Sequence, residues 1–292
     1  MTADLATAFE AERPRLLRVA YSTIGSLTEA EDCVQEAWLR LTRLEDADEI
    51  RDLPAWLTRT VGRLALDALG SARVRREHYV GTWLPEPLVQ TAAGAGDPAD
   101  RVTLDESVSM ALLVVLERLS PAQRIAFLLH DVFGVPFDEV AGVVGRTPAA
   151  VRQLASRARQ EVERGKPRFP PTPAEQRKVI SAFAAACQGG DLRSLIELLS
   201  PDAVLRGDGG GKVSALGHVE RGAESVARIL LALISRPLEH MRIAEVNGAP
   251  GLVLGDGEGH VSVASFTIDA GRITAIDVIR NPDKLADVPY PS

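Results

Sequence analysis

The sequence predicts a multidomain fold in which two all-α domains precede one α+β domain. Two stretches rich in proline and glycine, at residues 80–102 and 167–173, divide the chain into three sections. Apolar residues recur at helical spacing in the first two sections, whereas the third ends in short β-type runs separated by glycine-containing turns. Helices followed by an antiparallel meander are typical of an α+β domain. The predicted domains are therefore residues 1–79, 103–166 and 174–285, followed by a tail, 286–292.

The composition indicates a folded protein without membrane, disulfide or metal chemistry. Apolar residues make up 46% of the 292 residues and charged residues 25%, with a net charge of −7, which is ordinary for a globular protein. No run reaches the roughly 18 apolar residues of a membrane span, and the polar, acidic start of the chain does not resemble a signal peptide. Two cysteines, Cys33 and Cys187, are too few for a disulfide framework or a metal cage. We therefore expect a cytoplasmic protein with no cofactor, no metal and no membrane partner.

In the first section, an acidic helix precedes a basic helix. Residues 28–52 carry nine acids and three arginines, whereas residues 53–76 carry five arginines and one acid. Thr28, followed three residues later by Glu31, has the pattern of a capping box and predicts the start of the acidic helix. Charge blocks usually mark solvated helix faces, but here they coincide with helical apolar periodicity and suggest two binding surfaces of opposite charge.

The second section has the pattern of a helix-turn-helix. Residues 136–144 predict a short helix, Gly145 a tight turn, and Thr147-Pro148 the start of a second helix that ends near Arg164. The second helix of such a unit enters the major groove of DNA, and arginine and glutamine suit guanine and adenine there. An ordinary amphipathic hairpin is the alternative. The residues predicted to face duplex DNA are Arg146, Thr147, Ala149, Ala150, Arg152, Gln153, Ser156 and Arg157.

The first two sections together resemble a known family. The acidic helix from Glu29 to Trp38 and the basic helix from Pro54 to Arg76 resemble region 2 of the bacterial extracytoplasmic-function sigma factors. The helix-turn-helix resembles region 4 of the same family, in the same order and at a matching spacing. This resemblance implies a transcription initiation factor that binds core RNA polymerase at its β′ clamp and β subunits. It also implies binding to promoter DNA, both duplex and single-stranded, by a chain that is a monomer when free.

Residue roles follow from this resemblance. The family pattern assigns binding of the polymerase core to Glu31, Asp32, Gln35 and Glu36. It assigns the −10 element of the promoter to Trp56, Arg59, Arg63, Arg73, Arg75 and Arg76. Loop 44–52 and the start of the basic helix are expected to line a pocket for an extruded −10 base. The family often has Arg-Asn where this chain has Gly62-Arg63, which leaves open whether Arg63 lines that pocket; Trp38 and Trp56 also fit core positions.

The third section resembles a SnoaL/NTF2-like cone domain. The resemblance rests on the segment from Asp191 to Val204, on a glycine run at residues 207–212 (Gly-Asp-Gly-Gly-Gly-Lys) and on the closing strands. A subgroup of these sigma factors carries such a fused extension where a separate anti-sigma protein usually acts, which implies regulation of the sigma factor in cis. The residues expected to make the regulatory interdomain contacts are Trp83, Leu84, Pro85, Glu86, Pro87, Asp208, Gly209, Gly210, Gly211, Lys212, Asn281, Pro282, Asp283 and Lys284. Asp208 and Lys212 also suit ordinary exposed charge contacts. Whether the cone holds a small ligand is left open.

Two other functions fit parts of the sequence. A ligand-sensing transcription regulator would use the helix-turn-helix as its sole DNA module, without polymerase, and would leave the acidic and basic helices unexplained. A SnoaL-type isomerase or cyclase fused to a DNA-binding module would need a pocket base with a raised pKa. The polar groups available for that second role are Asp208, His218, Asp256, His260 and Asp277.

Overall fold

The computed structural model describes residues 2–44, 50–76, 79–90, 108–234 and 238–291. The chain divides into two compact units. Helices before residue 77 and between residues 112 and 165 belong to the first unit, and residues 79–90 join the chain from Lys166 onward in the second. Within these described ranges, no helix combines the length and hydropathy that a bilayer crossing requires.

The described residues of the first unit form helices and no strands, as the sequence predicts. A turn of π-helix, Leu128–Val132, extends one helix beyond its α-helical part and is a feature that the sequence analysis did not anticipate. The helices of this unit are α1 Thr2–Ile24, α2 Leu27–Thr42, α3 Leu53–Arg76, α4 Met110–Leu116, α5 Pro121–Phe127, α6 Phe137–Val144 and α7 Pro148–Gly165. The predicted helical residues before position 108 in the second section lie outside the described residues.

The N-cap of helix α2 lies two residues before the position that the capping-box pattern predicts. Its N-cap is Ser26, in extended conformation, and the Ser26 hydroxyl accepts a hydrogen bond from the amide of Glu29 at 3.5 Å. Thr28 is already inside the helix, so the predicted start at Thr28 was wrong. The local reason is that Gly25, with φ of 79°, ends α1 and places Ser26 directly at the next helix start.

Helix α3 packs against α5 and α6, so the two predicted helical domains contact each other within the first unit. Gly62 lies at this contact: a Cβ atom added there would lie 3.3 Å from Leu129 Cδ1 and 3.4 Å from Val143 Cγ1. A second contact uses a fully buried arginine, Arg124, whose Nη2 donates to the carbonyl of Ser22 in α1 at 3.1 Å. Close backbone approach and a buried polar bond therefore both hold α5 and α6 against the N-terminal helices.

The second unit is an α+β domain with one mixed six-stranded sheet. Its elements are α8 Pro173–Gly189, α9 Leu192–Leu198, β1 Leu199–Asp208, β2 Glu220–Arg221, α10 Ala223–Ile234, β3 Leu238–Val246, β4 Ala249–Asp256, β5 Val261–Asp269, β6 Arg272–Ile279 and a 3₁₀ turn Pro282–Lys284. The strand order is β2-β1-β6-β5-β4-β3. Helices pack on one face, where Phe183 of α8 meets Phe266 of β5 with ring centroids 5.1 Å apart. This is the architecture that the SnoaL/NTF2-like resemblance implies.

The predicted meander corresponds to β3–β6, whereas β1 and the two-residue β2 were not identified from the sequence; β1 is the longer of the two. Pro201 and Asp202 interrupt its β-type pattern, and its register with β6 shifts between Leu199 and Val204. Strand β1 pairs in parallel with β6, so that Asp208 lies opposite Ile279. The ends of these two strands therefore bring the glycine run and residues 281–284 to the same place.

Candidate functional site

Helix α2 presents an acidic face to solvent. Glu31, Asp32 and Gln35 are exposed and Glu36 is half-buried. The opposite face packs into the unit through buried apolar side chains, because these recur at helical spacing: Ala30, Cys33, Val34, Ala37 and Leu41. Glu36 is ion-paired with Arg40 at 2.9 Å, which neutralises part of its charge. The free negative charge of this face therefore lies mainly at Glu31 and Asp32.

Helix α3 carries the residues that the family pattern assigns to the −10 element. Arg59 and Arg63 are exposed and four positions apart, so both lie on one face of the helix. Trp56 is half-buried near the start of the helix. The side chains of Arg73, Arg75 and Arg76, and loop residues 45–49, lie outside the described residues. Arg59 and Arg63 thus lie on one exposed face of α3, and Trp56 stands three residues before Arg59.

Trp38 on α2 has a packing role. Its ring lies 4.9 Å from that of Phe9 in α1, centroid to centroid, and Phe9 is buried. A tilted aromatic pair at this distance stabilises a helix–helix contact.

The helix-turn-helix is formed by α6 and α7. Gly145 takes a left-handed conformation, with φ of 69°, and its amide closes α6 on the carbonyl of Ala141 at 2.9 Å. Thr147 caps α7 by accepting a hydrogen bond from the amide of Ala150 at 3.3 Å. Valines and alanines of α7 are buried, which leaves the predicted DNA-facing residues outward. Those exposed are Arg146, Thr147, Ala149, Arg152, Gln153, Ser156 and Arg157, and Ala150 is half-buried.

Residues 79–90, hereafter the linker segment, are bound to the α+β domain through one buried carboxylate. Asp208, which is fully buried, accepts a hydrogen bond from the hydroxyl of Tyr79 at 2.5 Å and one from the amide of Leu84 at 2.9 Å. Its other partners come from its own domain: Lys284 Nζ at 2.7 Å and the amide of Gly210 at 3.1 Å. Four donors therefore satisfy both carboxylate oxygens, and the alternative of an ordinary exposed charge contact at Asp208 is excluded.

The ammonium group of Lys284 has further contacts at this site. The side chain of Lys284 is 11% exposed, and its ammonium nitrogen lies 4.1 Å from the ring centroid of Trp83 and also donates to the carbonyl of Leu84. The amide group of Asn281 donates to the hydroxyl of Tyr79 at 2.9 Å. Burial, together with the hydrogen bond to Asp208, raises the pKa of Tyr79 above its usual range, so this hydroxyl stays protonated as a donor.

Glycine is required at two positions of the glycine run because other atoms of this site lie close to their backbone. A Cβ atom on Gly209 would lie 2.4 Å from the carbonyl oxygen of Val213, and one on Gly210 would lie 2.5 Å from Cγ of Asn281. Gly210 also has a left-handed φ of 62°. Lys212 lies outside the buried part and pairs with Asp283 at 2.7 Å, with both side chains more than half exposed. Pro85 and Pro87 are buried, Glu86 is half-buried, and Gly211 and Pro282 are exposed.

A second attachment of the linker segment was not predicted from the sequence. Asn247, in the β3–β4 turn, accepts a hydrogen bond from the amide of Leu88 at 3.1 Å, and its own amide donates to the carbonyl of Leu88 at 2.8 Å. Val89 then forms a β-bridge with Val246 at the sheet edge. Asn247 is buried with a left-handed φ of 49°. The Asn247-Gly248 pair signals a turn, but nothing local indicates that this turn binds another segment.

The groups considered for a SnoaL-type enzyme are engaged in structural contacts. Asp277 is buried and makes a two-bond ion pair with Arg206, and Asp256 pairs with Arg280 at 2.9 Å. Partial burial alone would raise the pKa of Asp256, but hydrogen bonds from the amides of His260 and Glu258 outweigh it and hold the pKa below its usual range. His218 is exposed beside Glu220. Asp256, Asp277 and His218 each therefore have a charged partner within this domain.

Comparison with known proteins agrees with the two helical motifs. The family model described as Sigma-70 region 2 matches residues 8–75, and the model described as Sigma-70, region 4 matches residues 109–162. The ECF RNA polymerase sigma factor SigJ of Mycobacterium tuberculosis is 43% identical over 295 residues, which cover 96% of this chain and 93% of that protein. The probable ECF RNA polymerase sigma factor SigI of the same species is 37% identical over 284 residues, which cover 96% and 94%.

The similarity extends to the whole structure. The crystal structure of the Mycobacterium tuberculosis extracytoplasmic function sigma factor SigJ matches with a TM-score of 0.79 at 40% identity, covering 97% of this chain and 99% of that chain. The match therefore includes the α+β domain as well as both helical regions.

Proposed function

This chain belongs to the ECF sigma factors of RNA polymerase, which direct promoter-specific transcription initiation, and we propose that its α+β domain regulates initiation by holding the linker between regions 2 and 4. The observation that carries this proposal is the binding of the linker segment at two separate points, Asp208 and Asn247. The protein acts in the cytoplasm, on core polymerase and promoter DNA, and it works by binding rather than by a reaction of its own.

The core polymerase contact is assigned to the acidic face of α2. Glu31, Asp32 and Gln35 are exposed on this face. Complementary charge on the polymerase favours fast and specific association with such a face. We assign the β′ clamp as the basic partner surface, with the β subunit contacting region 4.

Reversing the charge of this face is expected to weaken capture of core polymerase about tenfold or more, because two attractive charges become repulsive. The variant is Asp32→Lys with Glu31→Lys, measured by pull-down of purified core polymerase at physiological salt. Glu10→Lys, an exposed acid on α1, is the matched control and should capture polymerase normally. Full capture by the double variant would place the docking surface elsewhere on the chain.

The DNA contacts are assigned to α3 and α7. We assign Arg59, Arg63 and Trp56 to the opened −10 strand, because positive charge follows the backbone of a single strand and an aromatic ring contacts its bases. The exposed face of α7 is placed to read the −35 element in the major groove. Because Gly62 serves the contact with α6, only Arg63 of the Gly62-Arg63 pair is available to DNA.

The linker segment connects these two DNA-binding regions, so its attachment affects how far apart they can bind. Two contacts joined by a linker reinforce each other only when the linker permits both at once. A linker segment bound at Asp208 and Asn247 has fewer conformations than a free one. The α+β domain therefore selects a narrower range of promoter spacings, and release of the linker segment widens it.

Removing residues 281–292 is expected to broaden the dependence of transcription on the spacing between the −35 and −10 elements. The truncation deletes Asn281 and Lys284, which bind Tyr79 and Asp208. In vitro transcription with core polymerase on a library of promoter spacings measures this profile. Removal of residues 286–292 alone, which keeps both side chains, is the matched control. Identical spacing profiles for all three chains would contradict regulation through the linker segment.

A further inference from the structure

Three side chains form a stack at the helix-turn-helix that neither the sequence motifs nor the family assignment explains. The rings of His130 and Phe137 lie parallel within 25°, with centroids 3.6 Å apart. The guanidinium carbon of Arg152 lies over the Phe137 ring, 5.3 Å from its centroid. The Phe137 ring thus contacts both the imidazole and the guanidinium. Phe137 therefore links the π-helical turn to the recognition helix α7.

The π-helical turn Leu128–Val132 sets the position of His130 in this stack. A widened turn rotates the following side chains relative to a continuous α-helix, and such turns are frequent at functional sites. The ring of His130 is held at Nδ1 by the backbone carbonyl of Val135 at 3.0 Å. Because a carbonyl oxygen only accepts, His130 Nδ1 is the donor. His130 is thus a fixed support for the Phe137 ring, which starts α6 directly after Pro136.

Arg152 is held by this ring and not by a carboxylate. Within the described residues, no ion pair is formed by Arg152, whereas Arg159, two turns further along α7, is paired with Asp131 at 2.5 Å. A guanidinium that lies over a ring uses its flat face, so the N–H groups at its edge stay available for a two-bond contact with a base. A long side chain with several rotamers is thereby oriented without loss of its donors. Arg152 itself is exposed on the predicted DNA-facing side of α7.

We propose that Phe137, supported by His130, is a positioning residue for promoter specificity: its ring holds the Arg152 guanidinium where it reads one base of the −35 element. This inference rests on the proposed role of α7 in reading that element. A positioned arginine discriminates guanine from other bases more strongly than a mobile one, because both hydrogen bonds form together only in one orientation. Loss of the ring should therefore affect discrimination at one base more than binding in general.

The test is in vitro transcription by the full chain with core polymerase on promoters randomised across the −35 element. Phe137→Leu is expected to lower the base preference at a single position about twofold to fivefold, which corresponds to the strength of an exposed cation–π contact. Phe137→Tyr keeps the ring and should restore the preference. Phe133→Leu, the same change at a half-buried residue that packs into the core of region 4, should lower stability without changing preference at that position.

Arg152→Ala separates failure of this inference from failure of the proposed function. The inference predicts that Arg152→Ala and Phe137→Leu lose preference at the same base, and that the double variant loses no more than Arg152→Ala. If Arg152→Ala changes a base preference and Phe137→Leu does not, Phe137 is not a positioning residue. If Arg152→Ala leaves every −35 preference intact, the assignment of Arg152 to base reading is itself wrong, and the inference falls with it; if loss of binding to the −35 element also fails to follow from Arg146→Ala and Gln153→Ala, the proposed role of α7 is wrong as well.

Discussion

Replacing Asp208 with asparagine is expected to release the linker segment from the α+β domain and to destabilise that attachment by about 3–5 kcal/mol, as loss of one partner of a buried ion pair does. The carboxylate accepts four hydrogen bonds, two from the linker segment and two from its own domain. Asparagine has nearly the same shape, but its NH₂ group points a donor at other donors on one side. The ammonium of Lys284 would then be buried without its negative partner.

Hydrogen exchange at single amides measures this release. The amide of Leu84 donates directly to Asp208, so its protection should fall on the order of a hundredfold or more in the variant. The amide of Leu88, bound at Asn247, should lose less. Asp283→Asn is the matched control, because Asp283 belongs to the same cluster but is 62% exposed and pairs with Lys212 in solvent, where a salt bridge contributes below about 1 kcal/mol. Unchanged protection at Leu84 would contradict a linker held through Asp208.

A milder variant keeps the test informative if Asp208→Asn fails to fold. Tyr79→Phe removes one hydroxyl that donates to Asp208 and accepts from Asn281, and leaves the ion pair with Lys284 in place. This variant is expected to weaken the attachment of the linker segment by about 1–2 kcal/mol. The amide of Leu84 should again lose more hydrogen-exchange protection than the amide of Leu88. The spacing profile of transcription should broaden in both variants.

Replacing Gly62 with leucine is expected to separate regions 2 and 4 within the helical unit. An added Cβ already meets Leu129 and Val143 at 3.3–3.4 Å, and the rest of a leucine side chain has no space there. Overpacking of this kind costs about 1–3 kcal/mol, which shifts a two-state equilibrium about fivefold to 150-fold toward the open form. Transcription at limiting core polymerase should rise, because less free energy is then needed to separate the two regions.

Energy transfer between dyes at Glu10 and Gln160, two exposed positions on α1 and α7, measures the separation. Burial raises the pKa of the Cys33 thiol to about 11 and of the Cys187 thiol to about 12, so the native thiols compete little with engineered ones for the dyes. Gly70→Leu is the matched control: it lies on the same helix with nothing within 4 Å of an added Cβ. Equal energy transfer in the two variants would show that Gly62 does not hold the regions together.

The local features of this protein could be predicted from its sequence. Helical periodicity located α3, α6 and α7, and the charge pattern identified the acidic face of α2, because amphipathic elements expose one side and bury the other. The turn at Gly145 followed from the need for a left-handed residue at the end of α6. The family resemblance followed from these motifs together, and it supplied roles that periodicity alone does not.

The predicted start of α2 was wrong for a local reason. Ser26 stands two residues before Thr28, and either side chain is of a type that caps helices. The failure at β1 was of another kind: a strand interrupted by Pro201-Asp202 has no clear alternation of its own and is stabilised by parallel pairing with β6. Non-local pairing of this kind leaves little trace in the residues of one strand.

By itself, the sequence determined the family, the helical motifs and the acidic and basic faces, because these depend on residues within a few turns of one another. Only the tertiary structure showed which distant residues of the chain contact one another. Tyr79 and Leu84 meet Asp208 across 129 and 124 positions of sequence, and Gly62 meets Val143 across two regions of the chain. Such contacts arise where the parallel β1–β6 pair and the α3–α6 crossing bring distant backbones together. Burial and partners, rather than residue type, therefore decide between the two roles that the sequence left open for Asp208, and place it at the centre of the linker attachment.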